Sequence, residues 1–202
     1  MIVEIEGIDG AGKTLQCRLL KNWFEKTLGQ RAIVVKDLES TSMGRQIKEL
    51  LITDTPRTKE VELFAFLCCK SSLMSEVIAK EIEQKTHIIC DRGIGSFLSY
   101  FQINGFDGNF LEMLLSKAIP ESYKATTIIL DVEVDVAMSR KANKPSHSKY
   151  DGMGSEFFEQ QRRTLLELGS HRQWKVLDGG RDVQLVHSSI IEVVQDQINA
   201  ES

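Results

Sequence analysis

The chain has 202 residues, of which 42% are hydrophobic and 27% are charged, and its formal net charge is −4. These proportions are ordinary for a soluble globular domain with a full core. The acidic balance argues against a general nucleic-acid binder, and the sequence has no run of 18 apolar residues that would span a membrane.

Short apolar runs alternate with longer stretches of helical period along the whole chain. The runs predict five strands, at residues 2–6, 31–36, 87–91, 126–132 and 174–178. The stretches predict helices at 13–28, 43–52, 58–84, 94–104, 107–118, 133–142, 156–169 and 182–198. Repeated strand-then-helix units indicate a single α/β domain over 1–202, with a five-stranded parallel sheet flanked by helices on both faces.

The cysteines and the amino-terminal residues indicate a cytoplasmic protein. No signal peptide is expected, because the first predicted strand starts at residue 2. The four cysteines, Cys17, Cys68, Cys69 and Cys90, lack the spacing of a zinc site. We therefore expect reduced thiols, as is usual for proteins of the cytosol.

The first predicted strand runs into GIDGAGKT, which matches the phosphate-loop pattern G-x-x-x-x-G-K-[ST] and opens a helix. Backbone N–H groups in such a loop form an anion site, and the following helix adds its positive N-terminus. Lys13 is expected to reach the outer phosphates of a bound nucleoside triphosphate, and the Thr14 hydroxyl to ligate Mg²⁺. A chance glycine turn is the weaker alternative, because a strand precedes the motif and a helix follows it. The predicted phosphate site is Gly7, Ile8, Asp9, Gly10, Ala11, Gly12, Lys13 and Thr14.

A second acidic group is expected beside the metal. Asp91 ends the third predicted strand, at the sheet edge where the phosphate loop also lies. It is our candidate for orienting Mg²⁺, with capping of the following helix as the alternative role.

The polar segment KANKPSHSKYDGMGS (141–155) lies between two predicted helices. A loop of this length in a compact domain is usually a functional flap or a disordered segment. Its Lys144 and Lys149 are candidates for phosphate contact, although a solvated charged loop is the more ordinary role for any single lysine.

Beyond the phosphate loop, the order of several segments points to one family. The loop reads EGIDGAGKTLQ, and it is followed in order by MGRQIKELL (43–51), ELFAFLCCKSSLMSEVI (62–78), IICDRGIGSFLSYFQ (88–102), IILDVEVDVAMSR (128–140) and FFEQQRRTLLEL (157–168). Together these segments resemble the thymidylate kinase family of P-loop nucleoside monophosphate kinases. The resemblance implies a three-layer P-loop kinase fold with a short flexible lid, a homodimer, and Mg²⁺-dependent transfer of the ATP γ-phosphoryl group to dTMP.

The resemblance also implies roles for individual residues. Lys13, Arg92 and Asp9 match the family's catalytic groups, with Arg92 on the acceptor phosphate and Asp9 on the sugar 3′-hydroxyl. Arg140 closes a predicted helix and can face the nucleotide. The acceptor-binding residues would be Asp9, Phe66, Lys70, Arg92, Phe97 and Tyr100. For the aromatic residues among them, a place in the core is the competing interpretation.

The residues that depart from the family pattern are concentrated at the acceptor site. Lys70 replaces an arginine that commonly contacts the base, Gly93 replaces an aromatic residue, and Phe97 stands where a polar residue often reads the base. Lys36-Asp37 replaces an Arg-Glu pair. These changes leave open a kinase that acts on another nucleoside or monophosphate, or a catalytically weak nucleotide-binding protein.

Overall fold

The computed structural model describes residues 1–53, 55–142 and 153–201. Its centre is a five-stranded sheet in the order β2-β3-β1-β4-β5, in which every pairing is parallel. The strands are β1 (Ile2–Glu6), β2 (Ala32–Val35), β3 (His87–Asp91), β4 (Ala125–Asp131) and β5 (Lys175–Asp178). The predicted five-stranded parallel sheet is confirmed.

Helices follow the strands in the predicted order. They are α1 (Lys13–Lys26), α2 (Ser42–Ile52), α3 (Lys59–Leu73), α4 (Ala79–Glu83), α5 (Ile94–Ile103), α6 (Gly108–Ala118), α7 (Val134–Ala142), α8 (Ser155–Arg172) and α9 (Val183–Glu201). A π-helical turn, Met74–Ile78, joins α3 to α4, so the single helix predicted over 58–84 contains a local change of winding.

The two largest errors in predicted boundaries, three residues each, are at the end of α9, which extends beyond residue 198 to Glu201, and at the end of α8. The prediction ends this helix at Gly169, but it continues to Arg172 and stops at Gln173, which has a left-handed φ of 57°. Gly169 serves close packing instead of termination, because a Cβ there would lie 2.7 Å from Cδ1 of Ile129 in β4.

Alternate side chains of β1 point to opposite faces of the sheet. Val3 and Ile5 belong to the core cluster that also contains apolar residues of α1 and α9. Ile2 belongs to a second cluster with Leu73 and Ile78, on the opposite face. By the same alternation Glu4 and Glu6, both fully buried, lie on the face of Ile2. Among the described residues, no helix is both long and apolar enough to cross a membrane.

Candidate active site

A cavity of about 1200 Å³ opens at the edge of the sheet where the strands end. Its wall includes residues of the loops that follow β1, β2, β3 and β5. Chain reversal after each parallel strand brings these loops to one edge, which is the usual ligand edge of an α/β sheet. The predicted site residues on the wall are Asp9, Gly10, Gly12, Lys13, Thr14, Phe66, Asp91, Arg92, Phe97, Tyr100 and Arg140.

The phosphate loop, residues 7–14, connects β1 to α1. Gly10 has φ 90°, and a Cβ there would lie 2.2 Å from the backbone oxygen of Ala137 in α7, so only glycine fits. Lys13 is buried and its Nζ donates to the backbone oxygen of Ile8 at 2.8 Å. Burial and the nearby Arg92 guanidinium lower the pKa of Lys13 to about 8.

Asp91 lies directly beside the start of α1. The Thr14 hydroxyl donates to Asp91 Oδ2 at 2.6 Å, and Lys36 Nζ lies 3.0 Å from the same oxygen. Burial opposes ionisation of Asp91, but these two partners outweigh it and lower the carboxyl pKa. Asp91 does not cap α5, since the N-cap residue of that helix is Gly93. Its carboxylate therefore faces the hydroxyl predicted to hold the metal.

Arg92 begins the turn from β3 into α5, which we call the Arg92 turn (residues 92–96). Its φ of 80° is left-handed, an uncommon conformation for a side chain other than glycine. The guanidinium donates to the Asp9 carboxylate, to Ser96 Oγ at 2.9 Å and to the Gly7 backbone oxygen at 3.3 Å. Although burial opposes it, the charge of Arg92 lowers the pKa of Asp9 well below its usual range. The two predicted acceptor groups therefore meet as an ion pair.

Arg140 extends from α7 to the loop after β5. Its guanidinium donates to the backbone oxygens of Gly179 and Gly180 at 3.0 and 3.2 Å. The adjacent Lys141 places its Nζ 3.9 Å from Asp9 Oδ2 and 4.9 Å from the Phe158 ring centroid. We call the phosphate loop and the wall around Arg140 the donor half of the cavity.

Aromatic rings form another part of the cavity wall, which together with the Arg92 turn we call the acceptor half. Phe66 and Tyr100 have ring centroids 6.2 Å apart, and Phe157 of α8 lies 5.9 Å from Tyr100. The Tyr100 hydroxyl donates to Glu62 at 3.0 Å, which fixes the ring against the wall. Phe97 is nearly buried against Phe101, 4.9 Å away, and presents only a small part of its surface to the cavity.

Lys70 differs from its predicted place. It is 2% exposed and does not belong to the cavity wall formed by the described residues. Its Nζ donates to Asp37 Oδ2 at 2.7 Å and to the Gly93 backbone oxygen at 3.1 Å. Gly7, Ile8 and Ala11 likewise lie behind the wall, where they contribute to the backbone of the phosphate loop.

The lid candidates Lys144 and Lys149 lie outside the described residues, as does most of the predicted segment 141–155. The wall also contains residues that were not singled out from the sequence as site residues, among them Lys36, Ser96 and Gln161. Gln161 is 6% exposed and lines the cavity, and its side chain makes no hydrogen bond within the part of the chain that the structure describes. Only its place on the same helical face as Phe157, four residues earlier, could have indicated it.

Comparisons with known proteins agree on one family. The profile of the family described as Thymidylate kinase matches residues 5–190. A thymidylate kinase from Fervidobacterium nodosum is 31% identical over 195 residues, which cover 96% of this chain and 98% of that protein. A probable thymidylate kinase from Thermococcus kodakarensis is 28% identical, with all of both chains covered. A crystal structure of thymidylate kinase from Ehrlichia chaffeensis superposes with a TM-score of 0.78 at 24% identity, covers 96% of this chain and 98% of its own, and shows a shared fold.

Proposed function

This chain belongs to the thymidylate kinase family, and from that premise we propose that it transfers the γ-phosphoryl group of ATP to dTMP, giving dTDP and ADP. It is a phosphotransferase of the nucleoside monophosphate kinase class. The observation that carries the proposal is the meeting of the phosphate loop with the Asp9–Arg92 pair in one cavity. A donor phosphate and an acceptor phosphate can thus be held next to each other, as in-line transfer requires.

The donor half binds the triphosphate of ATP in this proposal. Backbone N–H groups of the phosphate loop surround the phosphates, and the N-terminus of α1 adds partial positive charge. Lys13 exchanges its contact with the Ile8 oxygen for the outer phosphates. Its ammonium then neutralises the charge that spreads over the equatorial oxygens during transfer. Arg140, held by Gly179 and Gly180, forms a wall beside the nucleotide.

Thr14 and Asp91 fit a magnesium site. A hydroxyl and a carboxylate are the hard oxygen ligands that Mg²⁺ prefers, and it usually takes only one or two such ligands besides phosphate and water. The direct 2.6 Å contact between the two side chains places both oxygens at one point of the site. Bound there, Mg²⁺ would neutralise charge on the β- and γ-phosphates. Lys36, on the same carboxylate oxygen, is placed to contact a phosphate oxygen nearby.

The acceptor half binds the monophosphate. The Arg92 fork matches a phosphate group bidentately, which a lysine could not do. Asp9 then accepts a hydrogen bond from the sugar 3′-hydroxyl, and Phe66 stacks on the base. Tyr100, held by Glu62, limits the space beside the sugar.

Three further features belong to this proposal. Residues 141–155 act as a lid whose lysines Lys144 and Lys149 approach the phosphates and exclude water. The protein forms a homodimer, which the exposed apolar side chains Val61 and Phe64 of α3 support. It works in the cytoplasm, in keeping with four cysteines that are free thiols.

A coupled assay of ADP release tests the function. Purified protein with Mg·ATP is offered dTMP, dUMP, dCMP, dGMP, UMP and thymidine in parallel. We expect turnover that depends on dTMP and that far exceeds ATP hydrolysis without an acceptor. Turnover with another acceptor but not with dTMP would reject dTMP as the substrate, and the displaced Lys70 and buried Phe97 favour a changed base preference as that second candidate.

A further inference from the structure

The Arg92 turn rests on three buried charged side chains. Glu6 Oε1 accepts hydrogen bonds from the backbone N–H groups of Gly93 at 2.9 Å and Ser96 at 2.8 Å. Glu4 Oε1 accepts from the N–H of Ile94 at 3.2 Å. Lys70 Nζ donates to the backbone oxygen of Gly93 at 3.1 Å. Side chains from β1 and α3 thus bind successive peptide groups of the turn that presents Arg92.

Lys70 also connects this turn to the end of β2. Its second partner is Asp37, 2.7 Å away, and Asp37 follows Lys36, which pairs with Asp91 at 3.0 Å. Burial opposes the charged form of Lys70, but Asp37 and then Glu4 outweigh it and raise the lysine pKa. One ammonium group therefore ties the Arg92 turn to the loop after β2, which carries Lys36.

The Glu4 carboxylate packs so closely against residue 93 that only glycine fits there. A Cβ on residue 93 would lie 2.1 Å from Cδ of Glu4 and within 2.5 Å of both carboxylate oxygens. Glu4 is fully buried and also accepts from Tyr123 at 2.7 Å and Thr127 at 2.9 Å, so it has no room to move aside. The glycine at 93 and the lysine at 70, which look like separate departures in the sequence, belong to one cluster.

Leaving this cluster would be costly for Lys70. A move into the cavity would take the ammonium away from Asp37, Glu4 and Glu6, with which it interacts inside a buried region. Removing one partner from a buried ion pair leaves an uncompensated charge, which is strongly unfavourable. The left-handed Arg92 needs such surroundings, because strained backbone conformations persist only where neighbouring groups hold them.

We propose that Lys70 is a positioning residue for the acceptor phosphate: it binds Asp37 and the Gly93 oxygen so that Arg92 faces that phosphate, and it does not read the base. This inference rests on the proposed function, because it takes the acceptor to be a nucleoside monophosphate. It assigns base selection to the cavity wall, where Phe66, Tyr100 and Gln161 lie.

Calorimetric binding of dTMP, dUMP, dCMP and thymidine to Lys70→Met tests this assignment. The matched control is Lys80→Met, which removes an exposed lysine from α4. We expect the three monophosphates to lose affinity by the same factor, about 100-fold for a displaced phosphate site. Thymidine, which lacks the phosphate, should bind almost as well as to the unmodified protein. A change in the dTMP-to-dCMP ratio of more than about tenfold, or an equal loss for thymidine, overturns the inference.

A double substitution supplies a second readout. If Lys70 acts through Arg92, then Lys70→Met should cost much less dTMP affinity in an Arg92→Ala background than alone. Additive losses would contradict the inference. Because these are binding measurements, an unmodified protein that binds dTMP without turning it over would disprove the proposed function and still decide the role of Lys70.

A crystal structure of the unmodified protein with dTMP covers the case in which Lys70→Met fails to fold. We expect Lys70 Nζ to keep its contacts to Asp37 and Gly93 with the nucleotide bound. An ammonium found within hydrogen-bonding distance of the base, about 3.2 Å, would overturn the inference.

Discussion

The donor half of the cavity is formed mainly by backbone groups, and the acceptor half mainly by side chains. In the donor half, one continuous stretch of eight residues supplies most of the phosphate site, largely through backbone groups. In and beneath the acceptor half, single side chains come from β1, the loop after β2, α3, the Arg92 turn, α5 and α8. The donor half keeps the family pattern, and the departures from the family lie in the acceptor half. Substitutions alter a site made of backbone groups within one motif very little. In a site assembled from distant side chains, each substitution can alter one contact at a time.

Loss of Lys13 should have the largest effect on the rate of transfer, and this effect should arise in the donor half. We expect Lys13→Ala to lower kcat by about 1000-fold, because one well-placed donor to the transition state is worth that order. The coupled assay measures the rate, and circular dichroism verifies the fold. Lys26→Ala, an exposed lysine of the same helix, is the control. A rate within tenfold of the unmodified protein would exclude Lys13 from transfer.

Loss of Arg92 should affect only the acceptor half. We expect Arg92→Ala to cost about 2.7–4 kcal/mol of transition-state stabilisation, seen as a fall in kcat/KM for dTMP. The Kd for Mg·ATP should stay within about twofold, since the guanidinium contacts the phosphate loop only at the Asp9 carboxylate and the Gly7 oxygen, not at the N–H groups that would bind the ATP phosphates. An equal loss of ATP affinity would show that Arg92 acts on both halves of the cavity.

A methyl group at residue 93 tests the buried cluster under the acceptor half. We expect Gly93→Ala to lower the free energy of unfolding by about 1–3 kcal/mol, as forced overpacking does, because the new Cβ meets the Glu4 carboxylate. Urea unfolding measures the change. Gly154→Ala is the control, because a Cβ there has open space. Equal stability of the two variants would mean that Glu4 moves freely.

The pH dependence should separate the two halves without any substitution. Lys13 has a pKa lowered to about 8, so it is protonated below that pH and loses its charge as the pH rises through 8. We expect kcat/KM for ATP to fall about tenfold per pH unit above 8, since that ratio reports the free enzyme. The kcat should fall less, because bound phosphates retain the proton. An ATP profile that stays flat to pH 9.5 would show that Lys13 keeps its charge.

The smallest effect is expected at Gln161 in the acceptor half. Its amide faces the cavity without a hydrogen-bond partner in the described chain, so it is free to bind a nucleotide group. We expect Gln161→Leu to weaken dTMP binding about fivefold, the value of one net hydrogen bond, with ATP binding unchanged. Gln160→Leu, one position along α8, serves as the control. Unaltered dTMP affinity would remove Gln161 from the site.

Local pattern was enough to predict most of the fold and the donor half. The five strands and the helix that follows each of them could be located because apolar runs and helical periods are properties of adjacent residues. The phosphate loop was found in the same way, and Asp91 was correctly placed beside it because parallel strands end at one edge. The boundary of α8 was missed since a glycine reads as a helix end until its packing against Ile129 is seen.

The acceptor half depended on contacts between residues far apart in the chain. Lys70 is 33 residues from Asp37 and 23 from Gly93, and no pattern in the sequence relates them. The order of the motifs predicted that Lys70 takes the place of an arginine that contacts the base. A lysine ammonium is a compact charge, however, and in a buried position it needs an oppositely charged partner. Asp37 is that partner. The adjacent residues of this chain thus specify that it binds a phosphate chain, because that requires only a loop and a helix end. Which side chains surround the Arg92 turn depends on how β1, the loop after β2 and α3 pack against it, because burial allows each charge only the partners that the fold brings within reach.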